Sequence, residues 1–204
     1  MRAMYDRDMA TVFTDVTAFI LAGGKSTRMG TDKALVILEG RTLLARMLEM
    51  ARSMCADVRI VGDRAKFAPF APVVEDIFPS CGPLGGIHAA LRSSQTELNL
   101  MLAVDMPFLS IALLEFLIER SRPSDAAVTL VRTCDGLQPL CALYRRAFAD
   151  SAENALRAGR YKIDSLFEKT QTQLIEEEEL HAAGFSLELF RNLNTPEDLF
   201  DVRR

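Results

Sequence analysis

The sequence predicts an α/β domain of three α/β/α layers built on a mostly parallel, mixed sheet, and three observations predict it. Short runs rich in Val, Ile and Leu recur at residues 16–21, 57–61, 98–104 and 126–131; they are too short for helices and apolar enough for strands covered on both faces. Between them lie amphipathic stretches at three- and four-residue spacing, best developed over residues 42–54, giving the alternation of strand and crossover helix that builds a parallel sheet. Glycines follow the strands at Gly23-Gly24, at Gly62 and in the run from Gly82 to Gly86, at the end of the sheet where a Rossmann-like fold keeps its ligand crevice.

Composition narrows the function. A chain of 204 residues, 49% hydrophobic and 25% charged, fits one globular domain with a sizeable core. The balance of 28 acids against 24 bases leaves a net charge of −4, so no nucleic-acid partner is expected and any phosphate must be met by local cations. No apolar run approaches the roughly 20 residues that cross a bilayer, so no membrane partner is expected either. Residues 1–15 carry Arg2, Asp6, Arg7, Asp8 and Asp15 without a continuous apolar stretch; they read as a disordered tail rather than a signal peptide, with the domain over residues 16–204 and a cytoplasmic location. Cys55, Cys81, Cys134 and Cys141 show no C-x-x-C spacing and the chain has two histidines, which points to reduced thiols rather than a zinc site.

Taken in order, the strand at 16–21 runs into residues 21–33, LAGGKSTRMGTDK. Adjacent glycines leave backbone N–H groups open to a ligand and permit positive φ, while Lys25, Arg28 and Lys33 bring charge to offset a triphosphate. The G-x-x-x-x-G-K-[ST] pattern fails because Phe19 stands at its first glycine, and G-x-G-x-x-G is absent from the loop. Residues 34–38 read as an extended segment closed by Glu39-Gly40, residues 42–54 as a crossover helix, 57–61 as the second strand and 71–74 as the third, ending in Glu75-Asp76. Residues 79–86 read as a loop before a small helix at 87–91, and His88 as a residue of that helix's face. Residues 98–104 are the most apolar run, hence a central strand. Asp105 then stands where that strand emerges into the crevice, placed to hold Mg²⁺ with substrate phosphate oxygens. Ser110 should cap a helix over 111–119. Strands are expected at 126–131 and 137–144, the second reduced to an edge or bend by Pro139. Helices follow at 145–158, ended by Gly159, and at 163–169. The acidic run 176–179 reads as solvated surface, and 189–193 as the last strand, before a helix capped by Thr195 with Pro196 and Asp198 in its first turn.

The loop LAGGKSTRMGTDK resembles the signature L-A-G-G-x-S-x-R-M-G-x-D-K of the molybdenum cofactor guanylyltransferases, within the GT-A-like nucleotidyltransferases, and all ten defined positions match. Similarity resumes at Glu75-Asp76, in the run from Gly82 to Gly86, at Asp105-Met106-Pro107, at Gln138-Pro139-Leu140 and from Asn192 to Asp198. The resemblance implies a sheet of the nucleotide-diphospho-sugar transferase type and transfer of GMP from GTP to the phosphate of molybdopterin or Mo-molybdopterin. The products would be molybdopterin guanine dinucleotide and pyrophosphate, with Mg²⁺ as cofactor and molybdoenzyme maturation proteins as partners. Leu21, Ala22, Gly23, Gly24, Lys33, Asp76 and Asp105 would bind the nucleotide; Lys33, Arg28 and Asp105 would be catalytic, with Asp105 the metal ligand; Gly82, Gln138, Asn192 and Asn194 would meet the acceptor. Two other readings stay open: a cytidylyl- or sugar-1-phosphate nucleotidyltransferase, and a non-catalytic nucleotide-binding module.

Overall fold

In the computed structural model, which describes residues 12–23, 32–167, 170–193 and 198, β1 (Phe13–Leu21) and β6 (Leu98–Ala103) pair in parallel at the centre of a seven-stranded sheet. Every residue of β6 is buried, as an apolar run covered on both faces requires, and its polar residue, Asn99, donates to Glu97 O at 3.2 Å and Tyr144 O at 3.3 Å. On the far side of β1 lie β4 (Cys55–Val61) and then β5 (Val73–Val74), both parallel. On the far side of β6, β8 (Gly136–Arg145) runs antiparallel to β6 and to β7 (Val128–Thr133), and β9 (Thr172–Ile175) pairs in parallel with β7. The order is β5-β4-β1-β6-β8-β7-β9 with β8 alone reversed, which is the mostly parallel mixed sheet the sequence predicts.

Alternating side chains divide the core into two layers. Ala18, Ile20, Leu100 and Leu102 pack with α1 (Leu43–Met54) and α4 (Ile111–Ser121), while Phe19 and Met101 pack with α3 (Gly82–Ser93) and α5 (Phe148–Arg157). Ser110 caps α4 as read from the sequence, accepting from Leu113 N at 3.2 Å, and Thr42, read as the first residue of the crossover helix, is its cap, accepting from Ala45 N at 3.1 Å. Asp63, where β4 stops, caps the short α2 (Arg64–Phe67).

Several boundaries differ from expectation. β1 begins at Phe13, not Val16, so residues 13–15 belong to the sheet rather than the tail; Phe13 is buried, with the Arg122 guanidinium 5.3 Å from its ring centroid and paired to Asp15. The extended segment at 34–38 is a 3-10 turn, Lys33–Leu35, followed by a small hairpin of β2 (Ile37–Leu38) and β3 (Arg41–Thr42). β8 is an interior strand, and Pro139 is accommodated because β6 pairs only from Cys141 onward and the β7 register shifts opposite it. Of residues 163–169, Asp164–Phe167 form a short helix, α6, and residues 168 and 169 lie outside the described residues. The strand β9 was not anticipated, and the acidic run opens α7 (Glu177–Ala182), with Glu176 and Glu179 paired to Arg132 and Arg120. Residues 189–193 are not a strand but the end of a 3-10 turn, Leu187–Phe190, and its exit. Thr195 and Pro196 lie outside the described residues.

The glycine-rich run at 82–86 is not a loop: α3 begins at Gly82, with Pro83 in its first turn. Its glycines serve close packing. A Cβ on Gly85 would lie 2.9 Å from the carbonyl oxygen of Phe78, and one on Gly86 3.2 Å from Val61 and 3.4 Å from Leu21. His88, one turn on, is buried, and its Nε2 lies 3.3 Å from Glu153 Oε2 on α5. Glu153 also accepts from Arg157 Nε at 2.9 Å and Arg92 Nη2 at 2.6 Å. The bonds from Arg157, Arg92 and His88 hold its carboxyl down, from the ordinary 4.5 to about 2.

Gly85→Ala should destabilise the protein by about 1–3 kcal/mol, the cost of overpacking against backbone that cannot yield, read as a lower urea midpoint with unchanged slope. Because the folded-state pKa of Glu153 is depressed, its contribution is complete above pH 4.5 and lost as pH falls towards 2. The stability difference between wild type and Glu153→Gln should therefore shrink across that window; a constant difference would show that the arginines do not depress Glu153.

Candidate nucleotide site

Four strand ends are stitched together at one level. Ala22 N and Gly23 N both donate to Val61 O, at 3.0 and 3.1 Å; Gly62 N donates to Val74 O at 3.0 Å and Val104 N to Leu21 O at 3.2 Å. The carboxyl ends of β1, β4, β5 and β6 are thus aligned, forming one rim of a parallel sheet where ligands bind.

This stitching revises the expected cradle. The amides of Ala22 and Gly23 are already donating within the protein, so these residues do not offer N–H groups to a ligand; their carbonyls accept no hydrogen bond among the described residues. Nor does Gly23 adopt a left-handed backbone, and among the described residues a Cβ on it would meet Gly62 Cα and Val61 O at 3.8 Å, an ordinary contact. Gly24 and Arg28, with the rest of the loop to residue 31, lie outside the described residues.

Asp32 starts the chain beyond the loop by capping the turn Lys33–Leu35: one carboxylate oxygen accepts from Ala34 N at 3.2 Å and the other from Lys66 Nζ at 3.1 Å. The bond to Asp32 raises the pKa of Lys66 and keeps it protonated. With its backbone held by that turn, Lys33 reaches Asp105, Nζ to Oδ2 at 2.8 Å. The two side chains are only 24% and 20% exposed, so the charges attract through a partly desolvated medium. Leu193 N donates to Asp105 O at 2.9 Å and brings exposed Asn192 beside the same strand end. Asn194 lies outside the described residues.

Asp76 and Leu21 both approach Gly86 at a second point of the rim. The position a Cβ would take on Gly86 is 3.6 Å from Asp76 Oδ1, 3.4 Å from Leu21 Cδ2 and 3.2 Å from Val61 Cγ1. Although the residue surface is exposed, the surrounding protein desolvates the carboxyl and raises its pKa. Gly86, in the run that the sequence reads as a loop, lets α3 come close to Val61, Leu21 and Asp76 at this point of the rim. Gly82 opens α3 with φ of 65°. Gln138 is three residues before Cys141, the partner of Leu102, and its Nε2 donates to Thr133 Oγ1 at 3.1 Å. It stands at the same end of the sheet, but its amide group is held by the β7–β8 hairpin rather than brought to Asp105.

No group of three or more metal-ligating side chains occurs among the described residues. Mg²⁺ takes one or two carboxylates and completes its shell with phosphate oxygens and water. Asp105, whose Oδ1 accepts no hydrogen bond among the described residues, fits that donor set. Cysteine chemistry is not available to the reaction from the core: burial pushes the Cys55 and Cys141 thiols up to about 12. Cavities of about 470 Å³ beside Arg122 and Arg145 and about 560 Å³ beside Met47 and Leu109 include neither Asp76 nor Asp105.

A sheet of this order, with a lysine–aspartate pair and a glycine-lined carboxylate along the ends of its parallel strands, defines an α/β nucleotidyltransferase. The 2-C-methyl-D-erythritol 4-phosphate cytidylyltransferase of Thermus thermophilus has the same fold, with a TM-score of 0.69 at 18% identity over 93% of this chain and 97% of that one. The chain belongs to the MobA-like NTP transferase family, whose domain matches residues 18–174. It is 35% identical over 189 residues to the probable molybdenum cofactor guanylyltransferase of Pelotomaculum thermopropionicum, covering 92% of this chain and 91% of the relative. The molybdenum cofactor guanylyltransferase of Desulfosudis oleivorans is also 35% identical, over 90% of this chain and 92% of its own. The molybdopterin-guanine dinucleotide biosynthesis protein A of Archaeoglobus fulgidus superposes with a TM-score of 0.80 at 29% identity, covering 91% of this chain and 96% of that one.

Lys33→Ala should lower kcat/KM for nucleotidyl transfer by about 2–4 kcal/mol, the range for removing one preorganised electrostatic stabiliser. Asp105→Asn should lose turnover to a similar or greater extent while remaining folded. Both are read as pyrophosphate release alongside a thermal midpoint; a change under about tenfold in folded Lys33→Ala would remove Lys33 from the reaction.

Proposed function

We propose that this protein transfers GMP from GTP to the phosphate of molybdopterin or its molybdenum-loaded form, giving molybdopterin guanine dinucleotide and pyrophosphate. The observation that carries the reading is the Lys33–Asp105 pair at the end of the central strand, in a chain whose relatives named for this activity match over nine-tenths of its length. An oxygen of the acceptor phosphate attacks the α-phosphorus of GTP, the bond to the β-phosphate oxygen breaks, and pyrophosphate leaves. The phosphate monoester is largely ionised near neutral pH, so no side chain has to remove a proton. What the protein supplies is position and charge. Lys33 offsets charge on the triphosphate as it moves to the leaving group, and Arg28 has the chemistry to do the same. Asp105 would hold Mg²⁺, which when bound supplies Lewis-acid neutralisation of phosphoryl oxygens.

The base end is built from acceptors. The Asp76 carboxylate and the carbonyls of Ala22 and Gly23 suit the N–H groups on the guanine edge, and Leu21 offers an apolar flank. Gly82 and Asn192 border the acceptor side in this reading. A cytidylyltransferase is the weaker alternative, supported by fold likeness at 18% identity. A non-catalytic module would have no need of a lysine and an aspartate held together on the ligand rim. The reaction draws on cytoplasmic GTP, so the cytoplasm is the compartment we assign.

The test is kcat/KM with molybdopterin as acceptor and each of the four nucleoside triphosphates in turn; GTP should be preferred, and preference for CTP would overturn the assignment. Since a Cβ at Gly23 would have nothing nearer than 3.8 Å among the described residues, Gly23→Ala should act on the ligand and lower the GTP-to-CTP ratio without lowering the thermal midpoint. An unchanged ratio removes Gly23 from base selection.

A further inference from the structure

Between β5 and α3, residues 75–81 form a strap that carries Asp76 to the rim of the nucleotide site. Ser80 takes a left-handed φ of 62°, a conformation that persists in a non-glycine residue only where the surroundings enforce it. Ile77 is 57% exposed and Glu75, Asp76, Pro79 and Ser80 are exposed as well, so the inward hold on the strap falls to Phe78 and Cys81. The Phe78 carbonyl is pressed onto the first turn of α3, 2.9 Å from where a Gly85 Cβ would stand.

The Phe78 ring is held by two side chains from different helices. His88 of α3 meets it edge-on, with centroids 5.2 Å apart and planes at 69°, and the Arg157 guanidinium of α5 lies 5.7 Å from its centroid. Glu153 binds both: Oε1 accepts from Arg157 Nη2 at 2.7 Å, and Oε2 lies 3.3 Å from His88 Nε2. Among the described residues His88 Nδ1 is buried without a hydrogen-bond partner, and the ring's polar contacts are at Nε2, where Arg92 Nε also lies 3.4 Å away. Arg92 Nη2 donates to Glu153 at 2.6 Å and to Asp150 at 2.8 Å, fixing the carboxylate from its other side. Glu153 belongs to a helix that contributes no candidate ligand-binding residue, yet its bonds determine where the strap's inward anchor sits.

We propose that Glu153 is a positioning residue for nucleotide binding: by holding His88 and Arg157 against Phe78 it sets the strap, and with it the place of Asp76 beside Gly86 and Leu21. This rests on the nucleotide role given to Asp76. The geometry explains why an ion-paired cluster is built on the outer face of α3 and α5, where isolated surface pairs contribute little to stability: its product is the position of a loop.

The experiment is GTP binding by titration calorimetry without acceptor, on folded variants checked by thermal midpoint. Glu153→Gln and Phe78→Leu should each weaken GTP binding by roughly tenfold, and Arg157→Ala by a similar factor, whereas Arg157→Lys, which keeps a cation over the ring, should stay within about twofold. A merely structural role predicts additive losses; positioning through Asp76 predicts that Glu153→Gln has no further effect in an Asp76→Ala background. Wild-type affinity in Glu153→Gln, or full additivity with Asp76→Ala, would overturn the proposal alone. Wild-type affinity in Asp76→Ala would overturn the role of Asp76 and the proposal together. Tighter binding of CTP than GTP by the wild type would overturn guanylyl transfer instead, and the same cycle would then be read with CTP.

Discussion

The parallel pairing of β1 with β6 is the constraint on which the rest of the structure depends. Leu21 lies opposite Ala103 in that register, and Val104 N donates to Leu21 O just beyond it. A parallel ladder brings both carboxyl ends to one rim, so the glycine loop leaving β1 and the aspartate leaving β6 emerge together. Ile20, Phe19, Leu100, Met101 and Leu102 are fully buried, each contributing roughly 1.5–3 kcal/mol relative to exposure. A one-residue slip would exchange their two faces and is correspondingly disfavoured. The site inherits its precision from this core.

Among the described residues of that rim, the cations are each paired with an acid. Lys33 has its position from a turn capped by Asp32 and its direction from Asp105, and Asp32 in turn takes Lys66. A protein carrying −4 overall cannot attract a triphosphate by net charge; it must hold a few cations where water is partly excluded, and there each is worth more than on an open surface. The acid that holds Lys33 is also the group with the chemistry of a metal ligand.

Glycine has a different role here from the one a phosphate loop suggests. At Gly85 and Gly86 the missing Cβ lets α3 press against the strap and against Val61 and Leu21, so a helix approaches the strand ends closely enough for Asp76 to sit over its first turn. The same closeness makes the strap sensitive to α3 and α5, since Phe78 is gripped by side chains from both.

The sequence by itself determined the class of fold, the central strands, the crossover helix, the Ser110 cap, and the candidacy of Lys33 and Asp105, because hydrophobic period, capping residues, cations beside a glycine pair and a carboxylate after an apolar run are local signals; Asp76 entered through the resemblance to a family. It missed β9, whose four residues are only partly apolar, and misread residues 189–193 and the glycines of α3, because an edge strand or a helix rich in glycine is stabilised by what it packs against rather than by its own propensity. Only the tertiary structure decided that Ala22 and Gly23 spend their amides on Val61, that Lys33 and Asp105 meet across 72 positions of sequence, and that Glu153 stands behind Phe78. Those are contacts between distant segments, set when a register and two helix faces come together, and no local pattern encodes them.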